Sequence, residues 1–156
     1  MHINLIAVGH KMPDWVNKGY LEYAERLKKE VILSLTEIPL QKRSDKQQIS
    51  SARSKEDKQI LKAIEGADYV ITLDIPGKLH NSETLAERLN YWQSNYRKIA
   101  LIIGGPEGIS DSVKNKADES WSLGKLTFPH PLVRIIVAEA IYRAWTINQN
   151  HPYHRA

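Results

Sequence analysis

Three short stretches combine glycine, proline and an apolar run in a way that bends a backbone closely around a ligand. They are LDIPGK beginning at Leu73, GGPEG within LIIGGPEG (residues 101–108), and SLGKLTFPHP beginning at Ser122. A phosphate would ask for bare amides beside a lysine or a helix start, yet Glu107 places a carboxylate in the middle of the second stretch. A P-loop needs a Gly-Lys-Ser/Thr ending that GGPEGIS lacks, and a dinucleotide fingerprint needs three spaced glycines where VGHKMPDW has one. The chain has no cysteine, so thiolate nucleophiles and thiolate metal sites are excluded. A G-x-S-x-G elbow is absent, and Ser110 reads as the N-cap of a following helix. His151 and His154, with His130 or His10, lack the acidic partners a metal site would use, so no metal is expected. What remains is a ligand held by backbone groups and lined by Leu73, Ile75, Ile103, Ile109, Leu123, Leu126 and Phe128. Such a lining suits a flat, uncharged ring such as adenine.

The elements that must position these loops alternate along the chain. Strand patterns cover residues 3–8, 32–38, 69–74, 99–103 and, more weakly, 119–123, each rich in β-branched or aromatic residues. Helical spacing fills the gaps at about 14–30, 48–64 and 82–96. This alternation predicts an α/β fold, a mainly parallel sheet with helices on both faces, in which VITL and IALII are strands covered on both sides. Ligands of such sheets sit beyond the carboxyl ends of the strands, where the three loops converge. With 156 residues and 42% hydrophobic residues, one domain spanning 1–156 is expected. The first residues lack a basic leader and a cleavage pattern, and no apolar run approaches the roughly 20 residues of a membrane span, so a cytoplasmic protein is expected.

The net charge of +4 is unevenly placed. Lys42, Arg43, Lys46, Arg53, Lys55, Lys58 and Lys62 face only Asp45, Glu56 and Asp57, which reads equally well as a solvated helix face or as a footprint for phosphates. The last helix, PLVRIIVAEAIYRAWTINQN, accepts proline in its first turn. Steps of about 100° per residue place Glu139, Tyr142, Arg143 and Thr146 in one polar stripe. Its apolar residues, Val133, Ile136, Val137, Ala140, Ile141, Ala144, Trp145 and Ile147, cover more of the circumference than one sheet face buries. The excess calls for a second surface: either neighbouring helices or, as favoured here, a second copy of the chain.

LDIPGK, LIIGGPEG, SWSLGKLTFPHPLVRIIVAEAIYRAW and the ending NHPYHR, in this order and with AVGHKMPDWV near the start, resemble the RlmH family of SPOUT methyltransferases. The resemblance spans nearly the whole chain. It implies a trefoil-knotted α/β fold that binds S-adenosylmethionine through Leu73, Gly104, Gly105 and the loop Leu123, Gly124, Lys125, Leu126, Thr127 and Phe128. It also implies a homodimer with the last helix at the interface, acting on 23S rRNA in the assembled ribosome by direct methyl transfer to N3 of a pseudouridine. Orientation and removal of the imide proton would then be the protein's tasks, with Glu139, Arg143, Tyr153, His154 and Arg155 as the catalytic candidates. Gly124 departs from the family pattern, where serine is more usual, implying a lost hydrogen bond and a looser loop. Two rival readings are a ribose 2'-O methyltransferase of the same class and a non-catalytic RNA-binding module.

Overall fold

Apolar residues on both faces of the central strands serve two separate cores. In the structure, a computed structural model that describes residues 1–27 and 29–155, Ile3, Leu5 and Ala7 face one core while Ile6 and Val8 face the other. Ile99, Leu101 and Ile103 alternate in the same way with Ala100 and Ile102, the period of two that a strand requires. The elements run β1 (His2–Val8), α1 (Asp14–Ala24), β2 (Ile32–Ile38), α2 (Lys46–Ala63), β3 (Tyr69–Leu79), α3 (Ser82–Asn95), β4 (Lys98–Ile103), α4 (Asp111–Lys114), β5 (Glu119–Ser122) and α5 (His130–Asn148). A final 3-10 turn covers Pro152–Arg155. The five strands form one sheet in the order β2-β1-β4-β3-β5, and every neighbouring pair is parallel. Helices α1, α3 and α5 supply the first core, and α2 and α4 the second. The α/β reading and the five strands are therefore borne out.

Local chemistry accounts for the helix starts. Asp45 caps α2 by accepting from the Gln48 amide, and Ser110 caps α4 by accepting from the Val113 amide, as its sequence context predicts. A capping box between Asn81 and Thr84 opens α3. Helix α1 ends six residues before the expected limit near Glu30, because Leu27 and Val31 must both be buried as the chain turns back into β2. No helix among the described residues is long and apolar enough to cross a membrane.

Strand β3 is longer than expected and interrupted. Leu73 pairs with Trp121, and after a shift in register Lys78 pairs with that same residue. Residues 74–77, the DIPG expected as a loop, thus bulge from the sheet before the strand resumes. The return is tight: a Cβ on Gly77 would stand 2.3 Å from the carbonyl carbon of Trp121. Only glycine lets the two backbones meet. Gly77→Ala should therefore cost about 2–3 kcal/mol and lower the thermal midpoint by roughly 5–10 °C, a loss that circular dichroism melting would register.

Candidate active site

The loops at the carboxyl edge of β3, β4 and β5 enclose a cleft of about 250 Å³, just below the usual range for small-molecule sites. Of the nine residues expected to hold a cofactor, Leu73, Gly104, Gly105, Leu123, Gly124, Leu126, Thr127 and Phe128 line it, and Lys125 does not. The expected apolar lining is also present except for Ile109, which is buried in the core beneath α2 and α4. Ile75 and Leu126 stand at the cleft largely bare, with 74% and 75% of their surface exposed. Two large apolar side chains at a cleft are what an apolar ligand ring would cover. Lining residues that sequence reasoning left out are Asp74, Pro106, Gly108, Ser122, His130 and Val133. His130, weighed in the sequence only as a metal ligand, opens α5. Burial, and then the Arg134 cation one turn away, push its pKa below the usual histidine value, so its imidazole is neutral at neutral pH.

The glycines of the second loop serve the loop first. A Cβ on Gly104 would lie 2.7 Å from the Gly108 backbone, and one on Gly105 would lie 3.1 Å from Val8 Cγ1. The Gly108 amide donates to the Gly105 carbonyl at 2.9 Å, closing a turn in which Gly108 has φ +79°. Glu107 points away from any ligand role. Arg43 Nε and Nη2 donate to its two carboxylate oxygens at 2.8 Å, while Nη1 and Nη2 donate to the two oxygens of Glu56 at 2.8 Å. Nη1 also donates to the Gln41 carbonyl at 2.9 Å. Burial raises the Glu107 pKa, but the hydrogen bonds and charge of Arg43 outweigh it and hold the carboxyl below its ordinary value. The third loop is held too. Gly124, at φ +115°, donates from its amide to Ser122 Oγ at 3.1 Å, and that hydroxyl reaches the Gly124 carbonyl at 3.3 Å. The loop expected to be looser is thus tied by the Ser122 hydroxyl, and the backbone at Gly124 would strain any residue but glycine.

The catalytic candidates gather elsewhere. Tyr153 Oη and Arg143 Nε each donate to Glu139 Oε1 at 2.9 Å, and the Arg143 guanidinium lies over the Tyr153 ring, 5.0 Å from its centroid. The tail thus folds back on α5. His154 encloses its Nδ1 without a partner among the described residues, and Arg155 is exposed. Glu139 and Arg143 line a second cavity of about 190 Å³ that shares only Ser122 and Leu123 with the first. None of the five lines the first cleft. Burial, and then the bond to Glu139, push the Tyr153 hydroxyl up to about 12. The polar stripe expected on α5 is narrower than drawn: Tyr142 and Thr146 are buried, Tyr142 packed edge-on to the Tyr153 ring and Thr146 donating back to the Arg143 carbonyl at 2.7 Å. Arg134, absent from that stripe, is 1% exposed. Its Nη1 donates to Glu37 at 2.8 Å and its Nη2 to the Gly9 carbonyl at 3.3 Å, pinning the start of α5 to the ends of β1 and β2.

A profile described as "Predicted SPOUT methyltransferase" matches residues 1–154. The large-subunit ribosomal RNA methyltransferase H of Dichelobacter nodosus is 67% identical over 156 residues, the whole of both chains. The chain belongs to the RlmH family of SPOUT methyltransferases. Its counterpart from Methylococcus capsulatus is 50% identical over 155 residues, covering 99% of this chain and all of that one. Among solved structures, a probable methylase family protein of Haemophilus influenzae Rd KW20 shares the fold with a TM-score of 0.59 at 17% identity, over 97% of this chain and 69% of that one. A Legionella pneumophila methyltransferase in complex with bound SAM aligns with a TM-score of 0.50 at 15% identity, over 92% and 66% of the two chains. In this RlmH-family chain Arg43 ties a wall of the cleft to α2. Arg43→Gln should lower stability at pH 7 by about 3 kcal/mol by leaving the buried Glu56 and half-buried Glu107 carboxylates face to face without a cation. Because the folded-state pKa of Glu107 is depressed, the pairing stabilises fully above the ordinary 4.5 and is lost as pH falls. The gap between variant and parent in thermal melts should therefore narrow from pH 7 to pH 4.

Proposed function

We propose that the protein transfers a methyl group from S-adenosylmethionine to N3 of a pseudouridine in 23S rRNA, acting as a homodimer on assembled ribosomes in the cytoplasm, with residues 1–156 as one catalytic domain. The observation that carries this reading is the cleft at the carboxyl edge of the sheet, lined by eight of the nine residues that the family pattern assigns to the cofactor. Their chemistry fits the group: bare backbone from Gly104 and Gly105, apolar walls from Leu73, Leu123 and Phe128, and no cationic side chain among the lining residues. When bound, S-adenosylmethionine supplies a methyl group already activated on a sulfonium. The protein's share is orientation, exclusion of water and removal of the imide proton.

Roles within the tail follow from its bonding. Tyr153 keeps its proton at neutral pH because its hydroxyl is raised to about 12, so it orients rather than accepts. Glu139 Oε1 already receives Arg143 and Tyr153, which makes it a fixed anion that holds the cation in place. Arg143 and Arg155 are cations suited to a developing imide anion or to phosphate. His154 is the member of the set left to accept the proton. Since none of these residues lines the cleft of its own chain, the reading needs a second copy to bring tail and methyl donor together. Much of the apolar excess of α5 is taken up by α1 and α3, while Leu132, Ile135, Ile136 and Ala140 remain partly open for that partner.

Labelled S-adenosylmethionine incubated with ribosomes lacking this methyl group should label 23S rRNA at N3 of one pseudouridine; label on a ribose oxygen, or none, would refute the assignment. Truncation after Tyr153 should keep the dimer and cofactor binding in calorimetry while reducing transfer at least ~100-fold, as expected for loss of a general base.

A further inference from the structure

Helix α2 separates its charges by sign. Its acids are turned to other tasks: Glu56 is 4% exposed beneath Arg43, Asp45 caps the helix, and half-buried Asp57 receives Ser112 Oγ at 3.5 Å. The bases are not. Lys42, Lys46, Lys55, Lys58 and Lys62 are exposed and Arg53 half-buried, and none has a carboxylate within 4.0 Å among the described residues. Arg43, in contrast, uses its guanidinium internally and is lost to any footprint. Ala52, Glu56 and Ile60 face the sheet, so helical geometry turns Lys55, Lys58 and Lys62 outward together. The residues between them on that face are Gln47, Ser51, Ser54 and Gln59. Short hydroxyl and amide side chains leave the ammonium groups accessible, and the absence of aromatic residues from α2 removes any platform for stacking bases. Beside the helix, a groove of about 650 Å³ runs between α2 and residues 109–112; Lys46, Arg53 and Lys58 line its α2 side together with Asp57, and Asp111 lines the other, so its charge is mixed where that of the outer face is not.

The position of this face relative to the cleft is fixed. α2 follows the carboxyl end of β2 and runs back along the sheet, and Arg43 clamps its entry to Glu107 in the loop that lines the cleft. We infer that the outer face of α2 formed by Lys55, Lys58 and Lys62 is a docking surface for the phosphate backbone of the RNA that flanks the methylated nucleotide. The contact is independent of sequence, because lysines on a polar face read charge and shape rather than base edges. Its purpose is to set the register of a large substrate against a small cleft. This inference rests on the reading that ribosomal RNA is the substrate.

The test compares the parent, Lys55→Glu/Lys58→Glu/Lys62→Glu, the milder triple Lys→Gln variant at the same positions, and Lys98→Glu. Lys98 begins β4, at the sheet edge opposite the cleft. Binding to ribosomes lacking the methyl group and steady-state methyl transfer are measured in parallel from low to moderate salt. Both triple variants should bind ribosomes at least tenfold more weakly, with KM raised, kcat within twofold of the parent, and thermal midpoint and S-adenosylmethionine affinity unchanged. The slope of log affinity against log salt should become shallower by about 2, as expected from losing three phosphate contacts. Lys98→Glu should match the parent. Triple variants with the parent's affinity and salt slope would overturn the inference. A parent that binds ribosomes but transfers no methyl group would overturn the proposed reaction, while the comparison of binding affinities still decides the surface.

Discussion

The guanidinium of Arg43 has five N–H donors, and all are used: two on Glu107, two on Glu56 and one on the Gln41 carbonyl. Two carboxylates this enclosed would repel one another and lose solvation without a cation between them. With Arg43 in place they become charge-assisted hydrogen bonds with fixed, planar geometry. The consequence reaches beyond stability. The loop after β2, the middle of α2 and the turn after β4 are locked into one body, so a wall of the cleft is positioned by a residue about sixty positions earlier in the chain.

A parallel sheet ends all its strands on one edge, and here that edge supplies both the space and the groups for a ligand. Each loop is held by its own device. Residues 74–77 are constrained by a strand that leaves the sheet and returns to the same partner residue. GGPEG closes on itself through Gly105 and Gly108. The third loop is tied at its start by the Ser122 hydroxyl. A site made of backbone groups must be rigid in this way, because backbone donors and acceptors cannot adjust by changing rotamer.

Helix α5 connects the cleft to the tail cluster. Its first turn carries His130 and Val133 into the cleft, its buried Arg134 anchors it to two strand ends, and Glu139 and Arg143 receive the folded-back Tyr153 about one and a half to two and a half turns later. One helix thus relates the cleft residues to the catalytic candidates at a set distance, while Ser122 and Leu123 line both cavities. The separation within a single chain is the physical reason a dimer enters the proposed reaction.

The order of strands and helices, the α/β class and the cleft residues were legible in the sequence, because period-two and helical patterns and Gly/Pro turns are local properties. That eight of the nine positions expected to hold a cofactor line one cleft, and that Ser110 is a cap, follows from such signals together with the family motifs. What could not be read there depends on contacts between distant residues. Glu107 looks the same in sequence whether it meets a ligand or Arg43. The wheel that placed Tyr142 and Thr146 on an open stripe could not know that Tyr23 and Tyr153 would cover the first, or that Arg134 would be buried. DIPG reads as a turn, but its return to Trp121 at Gly77 is a matter of register. Local sequence determined which elements form and which loops bend; only the tertiary structure decided which charges are spent inside the fold and which remain for a partner, because ion pairing and burial are set by packing across the sheet.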